Sequence, residues 1–264
     1  MPEQPRYNAL IVGIFKNHYK KGLESFEFAR EEIETVAANL KIKLPKNLGD
    51  VIYSFRYRKD LPKEITDTAT GKRTWVIAPA GQAKYRFHLA TVGRIVPRSD
   101  LIAIKIPDST PEIITTYALN DEQALLAKVR YNRLIDIFLG ISTYSLQNHL
   151  RTTVKGMGQI EIDEIYVGVN KNGQQFVIPV QAKGGSDQLA IVQTKQDLAC
   201  CAEKFPNLTC RAISAQFMDD EESTIAIFEL TLERNEVKIV EERHYRLVPA
   251  DSISPTDLKN YANR

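Results

Sequence analysis

The apolar positions of this 264-residue chain fall into runs and periodicities that outline an α/β protein. Residues 7–15 (YNALIVGIF) read as a short strand. From Ser25 to about Leu40 the spacing turns helical. Phe28, Ile33, Val36, Ala37 and Leu40 fall on one face, with Glu27, Glu31 and Glu32 in the early turns. Pro45 interrupts this pattern. A second helix is predicted over 47–57, with Leu48, Val51, Ile52 and Phe55 on one face. It runs into a basic-aromatic segment, Tyr53, Arg56, Tyr57, Arg58 and Lys59. Two short helices across a tight turn fit a helix-turn-helix or winged-helix-like module, and residues 74–78 and 85–90 around Pro79-Ala80-Gly81 suit its wing hairpin.

Residues 97–117 hold two further apolar runs and three prolines, and mark a domain boundary near residue 110. A long helix to Gly140 follows, with Asn120 or Asp121 as N-cap, then a second helical segment over Thr143–Thr153. Strands over Gln159–Val169 and Gln175–Lys183 form a hairpin through Asn170-Lys171-Asn172-Gly173. Gly184-Gly185 leads to a helix capped by Ser186 or Asp187 and ending near Lys204. A strand over 208–217 and a β pair over 224–232 and 236–247 complete the pattern. Two domains are expected, 1–110 and 111–264.

Charge sharpens that division. The whole chain carries 35 Lys+Arg against 33 Asp+Glu, a net +2. Residues 1–110 hold 19 against 12, or +7, while the remainder holds 16 against 21, or −5. A basic module suits a polyanion, and an acidic one suits a cation. At 43% apolar residues with 13 Gly and 12 Pro, the chain is neither collagen-like nor low in complexity. The three cysteines, Cys200, Cys201 and Cys210, lack the spacing of a zinc knuckle or a disulfide framework and read as reduced thiols. His18, His88 and His244 make no zinc-type pair. The apolar run Ala9–Phe15 is too short for a membrane span and lacks the order of a signal peptide, so a cytoplasmic location is expected.

The chemistry concentrates on the hairpin. Residues two apart on a strand share a face, so Glu161 and Asp163 project together, and so do Gln181 and Lys183 on the next strand. Two carboxylates, an amide oxygen and an ammonium therefore meet at the ends of paired strands. Hard oxygen donors of this kind suit Mg²⁺, and a lysine beside them can orient water and offset charge on a phosphoryl group. Val177–Val180 is apolar on both faces, as in a buried central strand, and the Gly-Gly pair after Lys183 permits close backbone approach. Gln193, Gln196 and Asp197 on the following helix can face the same cleft.

Asp163 followed by Gln181-Ala182-Lys183 after a short hairpin resembles the PD-(D/E)xK nuclease superfamily, which includes restriction endonucleases, junction resolvases and repair nucleases. The resemblance covers roughly residues 120–215, with Gln181 in place of the usual acid. It implies a restriction-endonuclease-like mixed-sheet core, and Mg²⁺ or Mn²⁺ held by Asp163, Gln181 and Glu161. It also implies Lys183 as the catalytic lysine, and Glu122, on the preceding helix, with Gln196 as accessory groups. The implied activity is restriction-type endonucleolytic cleavage of double-stranded DNA by a homodimer, with Arg56, Arg58, Lys59, His149 and Arg151 contacting phosphates. Two alternatives stand beside it: a non-catalytic DNA-binding regulator with a degenerate core, and a repair or junction-resolving nuclease. Pro107-Asp108 spells the superfamily's first letters but lies off the lysine hairpin, so Asp163 is the preferred acid.

Overall fold

A computed structural model describes residues 3–119, 122–184, 187–220 and 223–262. The expected caps Asn120, Asp121 and Ser186, and the second glycine of the pair, Gly185, lie outside the described residues. The chain divides into two compact units. One comprises 1–95, 153–160 and 190–196, and the other 96–152, 161–189 and 197–264. The first division falls at Ile95/Val96, so residues 96–110 group with the second unit.

The first unit opens with helix α1 (Glu3–His18), strand β1 (Ser25–Ala29), helix α2 (Glu32–Asn39) and helix α3 (Gly49–Tyr53). A π-helical turn (Ser54–Arg58) and the short helix α4 (Lys63–Thr66) follow, then strands β2 (Thr74–Gly81), β3 (Lys84–Ala90) and β4 (Arg94–Ile95). Residues 7–15 are thus helix rather than strand. Their buried side chains, Tyr7, Leu10, Ile11, Ile14 and Phe15, recur at three- and four-residue steps, a helical stripe hidden within a β-branched run. The predicted helix over 25–40 begins late. Phe26 and Phe28 pair instead with Phe87 and Tyr85 across β1 and β3, giving an antiparallel sheet ordered β1-β3-β2. Glu32 Oε1 accepts from Ala29 N–H at 2.8 Å where the strand hands over to α2. The helix over 47–57 and the hairpin over 74–90 form as the pattern indicates, with Val51, Ile52 and Phe55 buried. Phe15, Phe26, Trp75 and Phe87 interlock edge-on and tilted at the centre of this unit.

The second unit holds strand β5 (Ile104–Pro107) and helices α5 (Glu112–Tyr117), α6 (Glu122–Tyr131) and α7 (Leu134–Leu139). Strands β6 (Ser142–Val154), β7 (Gly158–Val169), β8 (Gln175–Lys183) and β9 (Leu189–Ala190) precede helix α8 (Ile191–Lys204), the parts of these elements within 153–160 and 190–196 belonging to the first unit. Strands β10 (Thr209–Cys210), β11 (Ala212–Phe217), β12 (Ile225–Glu233) and β13 (Glu236–Val248) and helix α9 (Pro255–Ala262) finish the chain. The main path of the large sheet runs β5-β13-β12-β11-β8-β7-β6. Strand β8 lies antiparallel to β7 and parallel to β11, with α8 in the connection. The α/β class is therefore as expected, with a mixed sheet.

Two expectations change here. The single helix to Gly140 is broken after Tyr131, where Arg133 takes a left-handed backbone (φ 50°) and Asn132 Nδ2 donates to Lys128 O at 2.9 Å. Residues 143–153 form strand β6 rather than helix. Their threonines and tyrosine favour extended backbone, and most of them are exposed at the sheet's edge, which leaves little burial pattern to read. Leu125, Leu126 and Val129 of α6 share one core with Ile178, Val180 and Ala182 of β8 and Ile213 and Ala215 of β11. No helix among the described residues is long and apolar enough to cross a membrane.

Gly13 shows how tightly the first unit closes, because a Cβ at that position would collide with Val36 Cγ1. Gly13→Ala should therefore cost about 1–3 kcal/mol in urea unfolding. The cost should shrink when Val36→Ala is introduced with it, whereas strictly additive costs would contradict the close α1–α2 approach.

Candidate active site

Strands β7 and β8 hold register from Val169/Gln175 to Glu164/Val180. Past that pair, side chains bridge the strands. Ala182 N–H donates to Asp163 Oδ2 at 2.8 Å, and Gln181 Nε2 donates to the Glu161 carbonyl oxygen at 3.1 Å. Gln181 Nε2 also donates to Asp197 Oδ1 of α8 at 3.1 Å. Two acceptors at the nitrogen end fix the amide's orientation and turn its oxygen away from them. On the other side of β8, Ser214 stands in register with Gln181, and Gln216 with Lys183. Partners in a ladder share a face, so one face of the sheet carries Gln181, Lys183, Ser214 and Gln216, all buried, and Asp197 meets it from α8.

Lys183 reaches Glu122 at the start of α6, with Nζ 3.0 Å from Oε1. That pairing offsets the desolvation of a buried ammonium. Helix α6 is also held at its far end. Arg130 donates to Glu164 Oε1 through Nε (2.9 Å) and lies 2.8 Å away through Nη2, while Ser145 Oγ of β6 donates to the same oxygen at 2.6 Å. The Glu164 carboxylate is fully buried on the face opposite Asp163.

Burial pushes the Asp163 carboxyl above its ordinary range, and the charges of Glu122 and Glu161 add to the shift; Lys183 and the Ala182 N–H pull the other way. Asp197 is pushed up further. It is wholly buried and feels the Asp163 charge, and the Gln181 hydrogen bond offsets only part of this. Carboxylates raised by burial and by one another form a local excess of negative potential, which a cation relieves.

Sequence expectations and structure meet unevenly. Asp163, Gln181 and Lys183 come together, and Glu122 joins them through Lys183. Glu161 turns its carboxylate toward β6, 3.2 Å from Arg151 Nη2 and 3.5 Å from His149 Nδ1, so it forms an exposed ion pair with Arg151 beside the His149 ring. Gln196 Oε1 accepts from Tyr57 Oη at 3.0 Å within the first unit. Arg56 stacks on Tyr57 and Tyr85, with its carbon centre 4.7 and 5.8 Å from the ring centroids, and Arg58 stacks on Tyr53 at 5.0 Å. Lys59 closes the π-helical turn, its N–H donating to Ser54 O. Asp108 Oδ1 accepts from Thr110 N–H and Asn132 Nδ2, a turn-closing role away from the hairpin. Cys200 and Cys201 are buried free thiols.

The sequence pattern places Asp197 among the cleft-facing groups without singling it out, and assigns no role to Ser214 and Gln216. A signal for the last two was present, since they alternate with Ile213, Ala215 and Phe217 along one strand. No family model, curated protein or solved structure matches this chain.

Hard oxygen donors are present for a divalent metal ion: the carboxylates of Asp163 and Glu122 and the amide oxygen of Gln181. Among the described residues, no group of three or more His, Cys, Asp or Glu is already gathered as a metal cage. Such oxygen donors are of the type that suits Mg²⁺, which keeps several of its waters and takes one or two carboxylates.

Two outcomes follow from this geometry. In the unfolded chain Asp197 titrates near the usual value of about 4. Between that pH and its raised folded value, the native state keeps a proton that the unfolded state has lost, so stability falls as pH rises through the window. Asp197→Asn should thus melt close to wild type at pH 3.5 and several degrees higher at pH 8; a gap that does not widen with pH would contradict the assignment. Arg130→Met strands the buried Glu164 charge and should cost about 3 kcal/mol or more in chemical unfolding, against under 1 for an ordinary surface arginine.

Proposed function

We propose that this chain is a metal-dependent endonuclease that hydrolyses phosphodiester bonds in double-stranded DNA, with a PD-(D/E)xK-type site of the restriction class. The observation that carries this proposal is the meeting of Asp163, Lys183 and Glu122 where the β7–β8 ladder gives way to side-chain bridges. The connectivity adds support. An α6 helix, a β6-β7-β8 meander, α8 and a β11 parallel to β8 follow the order of a restriction-endonuclease-like core.

Support for DNA as substrate comes from the first unit. Its order of α1, β1, helices α2 to α4 with the π-helical turn, then β2 and β3, with a β1-β3-β2 sheet, is compatible with a winged-helix-like module. The helix that would enter the groove ends in Arg56, Arg58 and Lys59. Stacking on Tyr53 holds the exposed Arg58 in place for phosphate contact.

Each side chain has a definable task in this scheme. Asp163, with Glu122 and the Gln181 amide oxygen, would hold Mg²⁺ or Mn²⁺. When bound, the metal supplies Lewis acidity and lowers the pKa of a water ligand. Lys183, aligned by Glu122, balances charge that builds on the phosphoryl oxygens and orients the attacking water. Asp197 and the Glu161 carbonyl fix the Gln181 amide.

Incubating purified protein with supercoiled plasmid and Mg²⁺ or Mn²⁺ should give nicked or linear product. Lys183→Ala should lower the rate by about 10²-fold or more, and Arg58→Ala should weaken duplex binding and flatten its salt dependence. Cleavage unchanged in Lys183→Ala would refute the site. A second reading, a DNA-binding regulator without cleavage, is favoured by one observation: Gln181, in place of an acid, spends its nitrogen on Asp197. Duplex binding with no metal-dependent cleavage across duplex, flap and branched substrates would establish that reading instead.

A further inference from the structure

The large sheet carries a second polar pocket that the proposed chemistry does not use. A cavity of about 380 Å³ opens beside β5 and β13, bordered by Asp100, Ile102, Ile104, Glu242, Arg243 and His244. In its wall stands Glu242, whose side chain is 5% exposed. Its Oε1 accepts from Arg98 N–H at 2.8 Å and lies 2.8 Å from His244 Nε2. Its Oε2 is buried with no hydrogen-bond partner among the described residues. A buried carboxylate oxygen left without a donor is among the costlier features a fold can keep.

The neighbouring cations are already committed. Arg98 donates through Nε and Nη2 to the two carboxylate oxygens of Asp100, at 3.0 and 2.6 Å. Arg243 Nε donates to Glu241 at 2.7 Å. The rest of the wall is apolar. Leu101, Ile102 and Ile104 line it, and Ile102 is 67% exposed, which leaves its side chain open to a ligand. Asp100 is held below its ordinary range by the Arg98 hydrogen bond, so the Arg98–Asp100 ion pair persists at the rim.

We propose that this pocket binds a small organic cation, an ammonium or guanidinium group on a short apolar stem. The cation's N–H donates to Glu242 Oε2, and the stem lies along Ile102 and Ile104. The polar atoms do not make a metal cage: no group of three or more His, Cys, Asp or Glu among the described residues is placed for that. A ligand that brings its own N–H donors and a hydrocarbon body suits both halves of the wall. The site is independent of the nuclease proposal and can stand or fall without it.

The test is titration of the full chain, labelled at isoleucine and leucine methyls, with n-butylguanidinium, and with the neutral n-pentanamide as control. Saturable shifts centred on the Ile102, Ile104 and Leu101 methyls are expected with the cation, and about tenfold weaker binding with the amide. Glu242→Gln should weaken the cation's binding about tenfold or more. Should that variant not fold, Ile102→Asn at its exposed position should still weaken binding by removing the stem's contact. Equal binding of the amide, shifts that never saturate, or cation binding unchanged in the variant that folds would overturn the proposal.

Discussion

The second unit turns on how β7 and β8 end. A ladder that continued to the strand tips would satisfy the backbone with no help. Here Gln181 Nε2 reaches the Glu161 carbonyl and Asp163 takes the Ala182 N–H, so side chains complete the pairing at the tips. That substitution brings polar groups onto a buried face, and everything around them serves to satisfy them. Asp197 accepts from Gln181, Glu122 pairs with Lys183, and Ser214 and Gln216 place further polar groups along β11. An apolar face of the same volume would be more stable, because burial raises Asp163 and Asp197 against their charged forms. Such an expensive arrangement is expected where charge is to be used.

Helix α6 links the two faces of that sheet. Its first turn supplies Glu122 to Lys183 on one face, and its last turn supplies Arg130 to Glu164 on the other. Glu164 is the chain neighbour of Asp163 and sits at the last register pair of the ladder. The helix is thereby pinned at its first turn to β8 and at its last turn to β7, the strand that carries the proposed metal ligand. A shift of α6 along the β7–β8 pair would break both ion pairs at once, so the pairing of Arg130 with the buried Glu164 helps fix where Glu122 stands relative to Asp163.

Much of this was legible in the chain, for stateable reasons. The hairpin carrying Asp163, Gln181 and Lys183 stands out because β8 is apolar on both faces up to its polar end. Strands β12 and β13 show alternating or continuous apolar patterns. The α1 segment misleads because Ile11, Val12, Ile14 and Phe15 favour strands locally, while burial of Tyr7, Leu10, Ile11, Ile14 and Phe15 decides for a helix. Strand β6 misleads for the opposite reason: an exposed edge strand has too few buried positions to set a period. In the site, Glu122 was accessible because it opens a helix before the first core strands. Asp197 drew less notice because a polar residue on an amphipathic helix reads as solvent-facing until its partner, Gln181, is placed in space. The approach of Glu161 to Arg151 and His149 follows only from β6 being a strand, which the polar pattern over 143–153 does not reveal.

Asp163 is the residue on which the metal site depends, and direct measurement of metal binding tests that dependence without relying on cleavage or on a chosen DNA sequence. Titration of the purified chain with Mn²⁺, followed by loss of the free-ion electron paramagnetic resonance signal, should show saturable binding that Asp163→Asn abolishes while leaving the fold intact by circular dichroism. Binding that persists undiminished in Asp163→Asn, or no binding by the wild-type chain at millimolar Mn²⁺, would contradict the account.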